Sequence, residues 1–142
     1  MNTEFQKALD KKRIISFAKA TTLIKGELKQ ASDDLKEALD RLKNHKYKYA
    51  TITGYYSMFH SARALLYSKG YREKSHYYLV VALESLFVGN GLLEEIVVKE
   101  FRDAMVLRED ADYHGSFSKE GAENVLKFAK ELLIKAKELL KK

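Results

Sequence analysis

Proline is absent from this chain of 142 residues, where average usage of about 5% predicts roughly seven. Only 7 glycines accompany that absence. Proline removes a backbone donor and clashes with the preceding turn, and glycine loosens a helix, so a chain with so few breakers is most simply all-helical. Hydrophobic residues at 46% and charged residues at 32% describe a globular chain that buries a core, not a disordered one. Its length suits a single domain, 1–142, large enough to need no staples.

The apolar periodicity divides the chain into five to six helices. Residues 3–20 read as a lysine-rich amphipathic segment with Phe5, Leu9, Ile14 and Phe17 as its apolar members. Lys25–Gly26 reads as an interruption. From Glu27 to His45, Leu28, Ala31, Leu35, Ala38 and Leu42 recur at steps of three and four, one apolar stripe on a polar helix. Residues 49–70, YATITGYYSMFHSARALLYSKG, are apolar almost all round, which marks a central helix buried by its neighbours. Gly54 within it permits close helix approach, and Gly70 is a C-cap.

Further helices follow over 75–88, with Ser75 as N-cap, and over 92–113, ending near Gly115; Gly89–Gly91 is a turn between them. Ser118 opens a last helix whose buried side carries Val125, Phe128, Leu132, Ala136 and Leu139. YYLVVAL at 77–83 is rich enough in aromatic and branched residues for a strand, but no partner strand is evident. The expected fold is an all-α, antiparallel up-and-down helical bundle. Residues 27–140 form its core and 1–24 an extra N-terminal segment.

Cysteine is absent, which excludes disulfides, thiolate chemistry and cysteine-bearing zinc sites. No run approaches the ~20 apolar residues of a membrane span, and the first residues lack the apolar centre of a signal peptide, so a cytoplasmic protein without membrane attachment is expected. The formal charge is +6. It favours anionic partners, yet the lysines are scattered and dispersed solvation explains most of them.

Residues 107–114, LREDADYH, concentrate chemistry before a helix break. Arg108 and His114 are suited to cleaving RNA. A histidine can accept the 2′-hydroxyl proton or protonate the leaving oxygen, and an arginine can stabilise charge on the phosphate with two parallel hydrogen bonds. Six positions apart on a regular helix they diverge by roughly 120°. They converge if the helix frays before Gly115 or if a second subunit supplies one of them. An ion pair with Asp112, four residues on, is the competing role for Arg108. His60 and Arg63, one turn apart on the central helix, either line a pocket or complete the core. His45 reads as surface, and His76, four residues after Arg72, as incidental. No histidine pair has the spacing of a metal motif, and no nucleophile triad or phosphate loop is present, so neither metal nor cofactor is expected.

Two stretches together carry a resemblance. Tyr55, Tyr56, Met58, Phe59, His60, Ala62 and Arg63, followed by Arg108, Ala111, Asp112 and Tyr113, resemble the HEPN family, in particular its small stand-alone prokaryotic members. The likeness covers roughly residues 27–140. It implies a dimerising helical bundle with the arginine-to-histidine region of both subunits facing one cleft. It also implies metal-independent ribonuclease activity of the toxin type, with RNA or nucleotide as ligand and a minimal nucleotidyltransferase antitoxin as partner. On that frame Arg108 and His114 are the catalytic pair, and Asp112, Tyr113, His60 and Arg63 line the pocket. Five residues separate Arg108 from His114, and Tyr113 stands where a four-residue gap would put the histidine. A non-catalytic nucleotide- or partner-binding module therefore remains the alternative reading, and an assembly subunit that buries its tyrosines in an interface is a third.

Overall fold

Helix α3, Tyr47–Ser68, is the element around which the others are wrapped. Thirteen of its 22 residues are buried; Ile52, Thr53, Tyr56, His60 and Arg63, at helical spacing, form a single strip that stays partly exposed. A computed structural model describes residues 3–141. In it α3 packs against α2 (Ile24–Lys43), α4 (His76–Leu83), α5 (Glu95–Tyr113) and α6 (Lys119–Leu139). A short α1, Thr3–Asp10, lies against α4. α2 and α6 are amphipathic and turn their apolar stripes inward, while α4 is apolar along its length. α2 buries Ala31, Leu35 and Ala38, with Leu28 and Leu42 partly covered; α6 buries Val125, Phe128, Leu132 and Ala136. The result is an all-α bundle.

With no proline available, the helices stop by local geometry. Lys12 and His45 adopt positive φ, 58° and 60°. In each case the next residue's N–H reaches back across the turn, Arg13 to the Ala8 carbonyl and Lys46 to the Arg41 carbonyl, the pattern that satisfies the last carbonyls of a helix. Gly70 and Gly115 take the same left-handed conformation at 83° and 62°, where glycine pays no steric penalty. Ser118 caps α6 by accepting a hydrogen bond from the Gly121 N–H. Ser75 occupies the corresponding position before α4, but its side chain makes no capping bond. α4 continues into a π-helical turn over Glu84–Val88.

The N-terminal region departs from the sequence-based expectation. Residues 3–20 are not one amphipathic segment. After α1 the chain is extended as β1, Ile14–Ser16, which pairs antiparallel with β2, Tyr71–Glu73, in the register Ile14 to Glu73 and Ser16 to Tyr71. A 3₁₀ turn over Ala20–Leu23 then runs directly into α2, which passes through Lys25 and Gly26 without interruption. The cause is the left-handed turn at Lys12, which ends α1, together with the edge offered by β2. Phe5, Ala8 and Ile14 are fully covered and join the core, and Phe5 meets Tyr71 edge-on.

Gly54 marks the tightest approach of two helices. A Cβ there would lie 2.7 Å from Leu126 Cδ1 and 3.0 Å from Val125 Cγ1, both on buried side chains of α6. Valine in place of Gly54 overpacks this contact and is expected to lower the unfolding free energy by about 1–3 kcal/mol. Urea denaturation of Gly54→Val measures it, and an unchanged midpoint would show that α6 moves aside freely.

Candidate functional site

Arg108 leaves the solvent-facing side of α5 and turns toward α3. It is only 8% exposed. Its guanidinium carbon lies 5.5 Å from the Tyr55 ring centroid, 5.8 Å from Tyr56 and 5.7 Å from Tyr113, so three tyrosine faces surround one cation. Such contacts stabilise a cation most when it is desolvated. Asp112, the carboxylate considered as its partner from sequence, stands 3.8 Å from Nη1 and is itself largely exposed. That is a long ion pair, beyond hydrogen-bond distance. The Arg108 Nε is buried with no hydrogen-bond partner among the described residues. Burial works against its charge, but contact with the Tyr113 hydroxyl and the surrounding tyrosines outweighs it, and the group's pKa is raised.

The tyrosine beneath Arg108 is held in turn by a residue that the sequence left incidental. The Tyr55 hydroxyl lies 2.7 Å from His76 Nδ1. Tyr55 also stacks on Phe101 of α5, at 5.8 Å and 16° between planes, and its burial pushes the phenol far above the ordinary range. His76 sits 4.3 Å from the Phe59 ring. Burial lowers its pKa, with the charges of Arg108 and Arg63 acting in the same direction. The neutral imidazole is therefore favoured, which leaves Nδ1 free to accept the Tyr55 hydroxyl proton. Twenty-one residues separate the two partners. No local pattern in the sequence signals such a pairing.

His60 and Arg63 fall into a second cluster, built on carboxylates. The His60 Nδ1–H donates to Glu27 Oε2 at 2.6 Å, and its Nε2 is 3.7 Å from Asp34 Oδ2. Arg63 lies 3.4 Å from Glu27 Oε1 and 3.2 Å from Glu73 Oε2, and its guanidinium covers the rings of Phe59 and Tyr67 at 5.2 Å each. Glu73 is almost fully covered, and burial raises its pKa despite Arg63. This network ties α2, α3 and β2 together. Arg63 and His76 both contact Phe59, so the two clusters are neighbours across one ring.

His114 is the C-cap of α5; its backbone N–H bonds to the Asp110 carbonyl, and its ring is exposed. Tyr113 is 69% exposed even though one face covers Arg108. The structure thus brings Arg108, Asp112 and Tyr113 together, adds Tyr55, Tyr56 and His76, and leaves His60 and Arg63 in the adjoining network. Arg108 points inward while His114 stands at the helix end. Among the described residues no three His, Asp or Glu side chains converge as a metal site, and no helix is long and apolar enough to cross a membrane.

Comparison with known proteins follows the same residues. A model of the HEPN domain matches residues 25–139. A protein of Methanocaldococcus jannaschii named "Putative toxin MJ0605" is 32% identical over 112 residues, 78% of this chain and 84% of that protein. A protein of Pyrococcus horikoshii named "UPF0332 protein PH1297" is 32% identical over 76 residues, 54% of each chain.

The coupling of Arg108 to His76 has a measurable sign. His76 titrates below its ordinary 6.5, so the unfolded chain binds its proton more readily. Its contribution to stability is full above that ordinary value and is lost as pH falls toward the folded one. Replacing Arg108 by glutamine removes one of the lowering charges. The His76 ring resonances should then titrate at a higher pH in Arg108→Gln than in the wild type, and an unmoved titration would place the two groups out of electrostatic contact.

Proposed function

The chain belongs to the HEPN domain family, and from that membership we propose that it is a toxin-type ribonuclease. It acts as a homodimer, cuts RNA without a metal ion, and is held in check by a minimal nucleotidyltransferase antitoxin. The likeness to a protein named as a toxin, across most of both chains, supports the class.

The observation that carries the chemistry is the under-compensated charge of Arg108. A buried guanidinium with one distant carboxylate and an unpartnered Nε is a cation still seeking an anion. A phosphodiester supplies it. The guanidinium fork matches two phosphate oxygens and stabilises the charge that develops when the phosphorus becomes five-coordinate. His114, exposed at the end of the same helix, accepts the proton of the 2′-hydroxyl. The 2′-oxygen then attacks phosphorus, the bond to the 5′-oxygen breaks, and the proton passes to that leaving oxygen. The products are a 2′,3′-cyclic phosphate and a 5′-hydroxyl. Across a twofold cleft the Arg108 of one copy and the His114 of the other can approach one phosphate, which answers their divergence on a single helix.

One observation favours a second reading. Tyr113, not His114, is the residue of this stretch stacked on Arg108. A mononucleotide with its phosphate on Arg108 and its base on the open face of Tyr113 fits that arrangement, and such a protein binds without cutting.

Incubation of a mixed RNA pool with the purified dimer in excess EDTA separates the two. Cleavage should fall by about a hundredfold or more in both Arg108→Ala and His114→Ala. Arg108→Lys keeps a charge but loses the fork, and should not restore the rate. Cutting that survives both alanine variants defeats the proposed roles. No cutting, together with a thermal shift on adding ATP, selects the binding module.

A further inference from the structure

The two-stranded sheet carries a surface that neither cluster uses. In an antiparallel pair, facing residues project to the same side and alternate along each strand. Ile14 and Glu73 face each other inward, Ile14 buried and the Glu73 side chain 6% exposed against Arg63. Arg72, opposite Ile15, therefore projects outward, and so do Arg13 and Lys74, which extend the pairing through the Lys74 N–H to the Arg13 carbonyl at 2.9 Å. All three are exposed. The Arg72 guanidinium carbon lies 5.3 Å from the Phe17 ring centroid on the same face. None of the three has a carboxylate within ion-pairing distance among the described residues.

Residues 11–19 contain no acid, and residues 69–74 contain only Glu73, which is turned inward. Like charges directly opposite on paired strands destabilise the pair. Here Arg13 faces Lys74 beside Arg72, and among the described residues no ion pair is made by any of the three to offset the repulsion. Charges that merely guard a strand edge against unwanted pairing need not gather on the outer face of the sheet. Cations beside a half-exposed aromatic ring match the chemistry of single-stranded nucleic acid, whose phosphates take the charges while a base stacks on the ring. The sheet also adjoins the candidate site along the chain. Two residues after Lys74 the chain reaches His76, which holds the tyrosine under Arg108.

We propose that the outer face of the β1–β2 sheet, with Arg13, Arg72, Lys74 and Phe17, binds the backbone of single-stranded RNA and leads it toward Arg108. This rests on RNA being the substrate, as proposed above. Arg13 and Phe17 precede the stretch matched by the HEPN model, and Arg72 and Lys74 lie within it.

Fluorescence anisotropy with a 2′-O-methyl oligonucleotide, which has no free 2′-hydroxyl and is not cut, reads binding apart from catalysis. The full chain is compared with the triple variant Arg13→Gln, Arg72→Gln, Lys74→Gln across a range of salt. A control removes three exposed lysines of α6, with Lys119→Gln, Lys130→Gln and Lys137→Gln. Loss of three phosphate contacts lowers the slope of log affinity against log salt by about 2. The sheet variant should show that loss and weaken binding about tenfold or more at low salt, with its circular dichroism and dimerisation unchanged, while the control should bind as the wild type does. Equal weakening in both variants reduces the effect to net charge and overturns the proposal. So does wild-type affinity in the sheet variant, or no binding by the wild type. Sheet-dependent binding by a protein that cuts no RNA refutes the ribonuclease reading and keeps this one. Cutting with affinity indifferent to the sheet does the reverse.

Discussion

Burying most of one helix sets the terms for everything else in this molecule. α3 is covered on all but one partly exposed strip, so most of its polar side chains are met by whatever packs on them, the buried Ser61 Oγ being an exception. Ser57 donates to the Ala31 carbonyl of α2 at 2.8 Å within the core. Tyr55 meets His76 of α4, His60 meets Glu27 of α2, and Arg63 meets Glu73 of β2. Each pairing fixes the position of one surrounding element. The apolar residues of α3 hold the bundle together, and its polar residues set where each neighbour lies.

The same constraint explains why the two charged clusters differ. Arg63 is paired with two carboxylates and lies over two rings, although its Nε and Glu73 Oε1 are buried without a hydrogen bond among the described residues. Arg108 is more deeply buried, and its neighbours are tyrosines, which stabilise a cation without neutralising it. One network matches its cations with carboxylates. The other keeps an attraction for anions at the end of α5, beside the exposed ring of His114. Phe59 lies between them, in contact with both Arg63 and His76.

Much of this was legible in the sequence because it is periodic or local. The stripes of α2 and α6, the all-round apolar character of α3, the close approach at Gly54 and the capping role of Ser118 are all matters of spacing over a few residues. The stretch holding Arg108 and His114 stood out by composition. What escaped has no short-range signature. Strands of three residues are too short to show alternation, so β1 looked like part of an amphipathic helix. Lys12 takes a conformation for which glycine is the usual signal. His76 acquires its role from a tyrosine 21 positions away, and Glu73 from an arginine on another element.

The pairing of Ile14–Ser16 with Tyr71–Glu73 also has a consequence in time. The helical hairpins of the bundle form between neighbours in sequence and can assemble as the chain grows. β1 has no such neighbour. Its first residues leave the ribosome early, yet their docking edge does not exist until Glu73 has been made and α3 has been stopped at Gly70. The N-terminal segment thus waits, as the α6-facing side of α3 does, leaving Phe5 and Ile14 exposed until the core is built to receive them.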